Sequence, residues 1–186
     1  MNLEPLYRDQ FAHYINTTPG EIENFELEGV GVESLALSYN PQISQFKTII
    51  SRTADAVFDG YQIQSSVSGK RIIKGDPIYN FLAEARRKAK AIETQLVEVE
   101  MANTEGEGNY IATKFNVLIV ITEFLGDNAS IGYDIYMKGD PISGTVTIAD
   151  SKLTFFESVN WKRWVKNHLP YFLYKEEIKL WQILFN

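Results

Sequence analysis

Gly75-Asp76-Pro77-Ile78 fixes the start of a helix in a chain whose other segments read mostly as strands. Asp76 suits the N-cap, because its carboxylate can accept from free backbone N–H groups of the first turn. Pro77 suits the first helical position, where its missing N–H is no loss. Ile78, Phe81, Leu82, Ala85, Ala89 and Ile92 then recur at helical spacing and form one apolar stripe. Glu84, Arg86, Arg87, Lys88 and Lys90 fall mostly off it. The pattern predicts one amphipathic helix, residues 76–90, laid on a sheet.

Around that helix the chain reads as mainly β. Leu35, Leu37 and Tyr39 alternate with small residues over Glu33 to Tyr39, and Asn40-Pro41 is read as the end of that strand. Tyr61 to Val67 alternates again, and a turn is expected near Ser68-Gly69. Beyond the helix, Val97, Val99 and Met101 alternate with Leu96, Glu98 and Glu100. Asn103 to Asn109 reads as a hairpin loop, and Tyr110 to Phe124 as a long central strand. Ile131, Tyr133, Ile135 and Met137 share a further strand face, and Lys152 to Phe156 is a last strand. Gly139-Asp140-Pro141-Ile142 repeats the helix-starting tetrapeptide. Its β-branched sequel, Ser143 to Ile148, makes it a turn between strands rather than a helix start.

Two segments do not fit the alternation. Residues 1–30 read as an N-terminal arm, with apolar Leu6, Tyr7, Phe11 and Tyr14 ahead of a turn-rich acidic stretch. Residues 42–60 carry Ile43, Phe46, Ile49, Ile50, Val57 and Phe58 without clean period two, and read as a long loop or hairpin. Structureless connections of that length are uncommon unless they have a task. At Asn160 the composition changes: all three Trp (161, 164 and 181) lie beyond it. Residues 160–186 are expected to be a helical extension, separate from a β domain over 1–159.

Bulk properties limit the chemistry. The 186 residues are 45% hydrophobic and 23% charged, which suits one core with an appendage. A net charge of −6 disfavours gripping nucleic acid with the whole surface, since that needs clustered Lys and Arg. The run Arg86, Arg87, Lys88, Lys90 is better read as complementing the carbonyl end of its helix. Without Cys there is no disulfide, thiolate metal site or cysteine nucleophile. His13 and His168 have no metal-ligand spacing, and no phosphate loop, dinucleotide fingerprint or nucleophile elbow occurs. No enzyme activity, cofactor or metal is expected. Neither a secretory signal nor a membrane span is read in the chain.

The order of motifs resembles the major tail tube proteins of long-tailed, non-contractile phages of Gram-positive bacteria. It is carried by Gly31-Val32-Glu33-Ser34-Leu35 with Tyr39-Asn40-Pro41-Gln42, and by Gly75-Asp76-Pro77-Ile78-Tyr79-Asn80-Phe81 with Ala85-Arg86-Arg87. Gly139-Asp140-Pro141-Ile142-Ser143-Gly144-Thr145-Val146 completes the set, so the likeness spans roughly residues 1–157. The resemblance implies a β-sandwich or barrel with one flanking helix. It also implies hexameric rings stacked into a tube, a loop and an arm that reach neighbouring subunits, and a virion location after synthesis in the host cytoplasm. The implied partners are copies of the chain itself, then tape-measure, tail terminator and distal tail proteins, with DNA as transient cargo and no membrane. The extension 160–186 departs from the family pattern.

Under that reading Leu6, Tyr7, Phe11, Ile43, Phe46, Ile49, Ile50, Val57 and Phe58 are the candidate subunit-interface residues. Apolar side chains on projecting segments need a surface to cover them. Glu98, Glu100, Glu105 and Glu107 are the candidate channel-lining residues, because an acidic wall repels a phosphate polymer. Alternating Glu also arises on any solvated strand face. The alternative reading is a β-sandwich adhesion or carbohydrate-binding module using exposed Tyr and Trp. The basic, Trp-bearing extension could also lie on a membrane surface.

Overall fold

A computed structural model of the chain describes residues 7, 10–32, 35–50, 52–104, 108–125, 129–149 and 152–158, with the side chains of 103 and 104 left out. Leu6, Glu105, Glu107 and the whole of 160–186 lie outside the described residues. The chain divides into two units, Met1–Phe156 and Glu157–Asn186, and the account below concerns the first.

Eight strands and one helix make up the described chain. They are β1 (Phe11–Asn16), β2 (Phe25–Glu28), β3 (Ser38–Phe46), β4 (Asp55–Arg71), α1 (Pro77–Lys88), β5 (Ile92–Thr104), β6 (Asn109–Phe124), β7 (Ser130–Ala149) and β8 (Lys152–Glu157). The strands form one antiparallel sheet in the order β2-β1-β5-β6-β7-β4-β3, with β8 pairing β7. This is the mainly β architecture with one flanking helix that the alternation predicts.

The helix begins as its sequence dictates. Asp76 is extended and accepts from the Ile78 N–H at 3.0 Å, and Pro77 opens the first turn. Ala89 closes it in the left-handed region, with Arg86, Arg87 and Lys88 in the last turn. Ile78, Leu82, Ala83 and Ala85 are buried. Ile78 and Leu82 join Ile15, Leu35, Val67, Leu96, Phe115, Val117, Ile119, Ile131, Tyr133 and Ile135 in one core. The opposite face of the sheet carries a second core, Tyr14, Phe25, Val97, Val99, Ala112, Val146 and Leu153. Neighbouring residues of β5 therefore serve different cores: Leu96 the first, Val97 and Val99 the second.

The strand path is open at both ends, yet the sheet wraps on itself. Beyond β2 the chain crosses to β4, where the Arg71 N–H donates to the Gly31 carbonyl at 3.0 Å. Glu28 of β2 thereby meets Lys70 of β4 and Tyr133 of β7 inside the curl.

Several segments refine or depart from the sequence reading, each for a physical reason. Two parts of the proposed arm, Phe11–Asn16 and Phe25–Glu28, belong to the sheet: β1 pairs β5 and β2 pairs β1, so Tyr14 and Ile15 are core residues. Residues 42–60 take the hairpin form of the two that the sequence left open, in strands β3 and β4, and Asp59 is the extra residue of a bulge that breaks period two. Pro41 does not end a strand. It sits inside β3, the outermost strand, where a missing N–H is tolerated. Finally, Gly139-Asp140-Pro141 is a bulge within β7: Lys114 pairs Ile142 and Asn116 pairs Lys138, leaving those three residues opposite Phe115.

Just beyond this bulge, β8 runs so close to Gly144 that a Cβ there would fall on the Phe156 carbonyl and 2.5 Å from the Phe155 ring. Only glycine permits that approach.

Candidate functional site

The β3–β4 hairpin is the candidate site. β4 pairs β7 only from Gln64 to Arg71, whereas it pairs β3 from Asp55 to Gln64. The outer part of β4 thus leaves the body with β3 alone, as a two-stranded ribbon. At about 3.3 Å per residue its nine residues beyond Gln64 span roughly 30 Å. Every residue of β3 is exposed, and so is β4 from Asp55 to Asp59.

The ribbon is amphipathic across its two faces. Pro41 stands opposite Tyr61, Tyr39 opposite Ile63, and Ile43 opposite Phe58. The Asp59 bulge turns Phe58 back to the side of Tyr61, so all six share one face. On it Phe58 and Tyr61 meet edge to face at 4.8 Å, and Tyr39 meets Tyr61 at 5.8 Å. The reverse face is mostly polar, with Ser38, Asn40, Gln42, Ser44, Gln62 and Gln64. Partial burial, then the Glu98 carboxylate, pushes the Tyr39 phenol up, which sets the ribbon's root within electrostatic reach of β5.

The named interface residues divide by this geometry. Ile43, Phe46, Val57 and Phe58 are exposed on the ribbon, and Ile49 and Ile50 are almost fully exposed at its tip, at 106% and 95%. Tyr7 is exposed ahead of β1, and Phe11 is half-buried within β1. Tyr39 and Tyr61, which the strand readings took as ordinary alternating positions, belong to the same apolar face. The clue was their place on the strands flanking 42–60.

The candidate channel residues stand differently. Glu98 lies on the same side of β5 as Leu96, and its carboxylate is 3.1 Å from His13 Nε2. Glu100 is also half-buried, paired across the ladder with Phe11 and Ile111.

A polar cluster lies within the body, at the far end of β4 from the ribbon, and escaped the sequence reading. Lys70, Glu28 and Asp76 are buried, with Lys70 Nζ 3.2 Å from Glu28 Oε2 and 3.1 Å from Asp76 Oδ2. The first contact is a hydrogen bond, whereas the second has only the closeness of an ion pair. Nζ also donates to the Val30 carbonyl at 2.9 Å, and the Tyr133 hydroxyl donates to Glu28 Oε1 in a short bond. The strand period alone would point Lys70 away from Val67. The bulge at Ser68-Gly69, with Gly69 at φ +70°, brings it onto the side of Val67, Ile131 and Tyr133. Burial pushes the Glu28 carboxyl up against the opposing pull of Lys70 and Tyr133. Burial, then the Glu28 charge, holds the Tyr133 phenol well above its ordinary range.

Two shallow clefts flank the sheet, one of about 460 Å³ containing the Glu93–Lys138 ion pair and one of about 530 Å³ beside α1. Neither His13 nor the Lys70 cluster lines them. Among the described residues no group of three His, Asp or Glu could hold a metal ion. No described helix is long and apolar enough to cross a membrane.

No protein-family model matches the chain, and no curated protein sequence matches it. Among solved structures it is similar to a chain of the anti-feeding prophage (AFP) baseplate, determined by cryo-EM with 6-fold symmetry. The TM-score is 0.46 at 10% identity, covering 76% of this chain and 95% of that one. A likeness at that level leaves function to be argued from the chain's own residues.

Proposed function

We propose that the chain is a structural virion subunit. It polymerises with copies of itself, as stacked hexameric rings, into a phage tail tube that conducts DNA. The observation that carries this reading is the amphipathic ribbon leaving the body. An isolated two-stranded ribbon is marginal in water. Contiguous exposed apolar surface of this kind marks a protein contact. A ribbon of roughly 30 Å can reach across to a neighbouring subunit of this size. The ordered motifs that resemble major tail tube proteins place their inter-subunit connection at the same point in the chain, residues 42–60.

The conduit part of the reading rests on charge. Each copy carries −6, so a closed ring repels phosphates and holds a passing duplex off its wall. Glu98 and Glu100 are half-buried, so the chain's overall charge supports this better than those two carboxylates do. Nothing in the reading requires catalysis or a cofactor. Tape-measure, terminator and distal tail proteins remain the expected further partners.

The test is removal of the ribbon's outer part, Gln45 to Asp55, closed by a short turn. The expected product is a folded monomer that forms no tubes. Tubes of normal appearance from the shortened chain would overturn the assignment.

A further inference from the structure

We propose that the buried cluster at the body end of β4 is a self-modification site, at which Lys70 and Glu28 join in an intramolecular amide. Three features of the cluster lead there. Amine and carboxylate are held 3.2 Å apart with no exposed side-chain surface on either. A second carboxylate, Asp76 Oδ2, lies 3.1 Å from the same nitrogen, and its other oxygen is fixed by the Ile78 N–H. A hydroxyl, Tyr133, already donates to the carboxyl oxygen that does not face Lys70.

These are the parts an acyl substitution needs. Two buried ions are each held at a desolvation cost, which conversion to a neutral amide relieves. In the first step an ammonium proton passes from Nζ to Glu28 Oε2, giving a neutral amine and a neutral acid. Burial favours that acid form, consistent with the raised Glu28 carboxyl. The Nζ lone pair then attacks Glu28 Cδ. Negative charge develops on Oε1, where the Tyr133 hydroxyl receives it as an oxyanion donor. Asp76 Oδ2 takes a second proton from the nitrogen and returns it to the departing Oε2 hydroxyl, which leaves as water. One N–H remains on the amide and the Oε1 carbonyl re-forms. The sum is ammonium plus carboxylate giving secondary amide plus one water, with Asp76 unchanged and no oxidant or co-reactant.

The bond's position gives it a use. Residues 29–69 lie between its ends and include β3 and nearly all of β4. The amide would staple the two ends of the ribbon segment across the curl. A ribbon loaded by its neighbours would then pull on a covalent link instead of an ion pair. Closing a loop of that length also restricts the unfolded chain, as a disulfide does.

The experiment is intact-mass and tandem mass spectrometry of the purified full-length protein, incubated folded at neutral pH. The expected result is a mass lighter by one water and a branched peptide joining Glu28 to Lys70. A full sequence mass with both peptides linear would overturn the proposal, and so would a water loss mapped to Asp76. Lys70→Arg should keep the full mass. Asp76→Asn keeps a capping side chain but cannot accept the proton. In this variant, shown folded by circular dichroism, the amide should form roughly tenfold or more slowly. An unchanged rate there would contradict the role given to Asp76.

Discussion

Phe58 and Tyr61 lie edge to face with ring centroids 4.8 Å apart, although they stand three positions apart on a strand whose regular period is two. The Asp59 bulge produces this contact. It gathers Tyr39, Pro41, Ile43, Phe58, Tyr61 and Ile63 onto one side of a ribbon that leaves the body with both faces uncovered along β3. This face is the basis of the assembly proposed above, and it separates assembly from folding.

Replacing both Phe58 and Tyr61 with Ser should therefore leave the body nearly as stable as before. Exposed positions away from special features change stability by about 0.5 kcal/mol or less. The same double variant should sediment as a single subunit under conditions where the parent assembles. Paired thermal melts and sedimentation velocity runs check the two halves together.

Asp76 both caps α1 and faces the buried Lys70 ammonium. Asp76→Ala should lower stability by about 3 kcal/mol or more. Loss of a cap accounts for about 1 kcal/mol, and leaving a buried charge short of a partner adds the rest. Exposed Lys88→Ala, which breaks a solvent-facing pair with Glu84, should lower it far less. Urea unfolding of the two variants compares them directly.

Tyr133 makes an alkaline prediction. Its phenol lies well above the ordinary 10.0 because of burial, then the Glu28 charge and hydrogen bond, then Asp76. In the unfolded chain the group loses its proton near the ordinary value. The stability it contributes is thus present below about pH 10 and is lost as pH rises through the folded value. Tyr133→Phe should flatten the fall in unfolding free energy above pH 10. At neutral pH the same change should lower stability by about 1–3 kcal/mol, since Glu28 loses a buried donor. Denaturant unfolding across that range, on parent and variant whose mass shows Glu28 and Lys70 still unjoined, measures both effects.

Gly144 admits no side chain under β8. Gly144→Ala should destabilise by about 1–3 kcal/mol through overpacking and loosen the strand around Phe155 and Phe156. Hydrogen exchange at residues 152–157 should accelerate in that variant.

Much of this fold was legible where one signal acted alone. Asp76 and Pro77 marked the helix start, and the alternation of Leu96 to Met101 and of Ile131 to Met137 marked β5 and β7. Legibility failed where a bulge reset the period. Asp59 left 42–60 undecided between loop and hairpin, Gly139-Asp140-Pro141 disguised a bulge as a turn, and Ser68-Gly69 hid the inward direction of Lys70. In β1, buried His13 and Asn16 stand where a half-buried strand should show apolar residues, so the segment read as an arm. The candidate interface residues on 43–58 stood out because their hydrophobicity had no local explanation. The Lys70 cluster was missed because Glu28, Lys70 and Asp76 are 48 positions apart end to end and each reads alone as a solvated charge.

Negative-stain electron microscopy of the concentrated full-length protein tests the central claim most directly. The account predicts rings and tubes of uniform diameter, lost when the apolar side of the β3–β4 ribbon is made polar. Single subunits at every concentration and salt, with the ribbon folded back onto its own body, would contradict it.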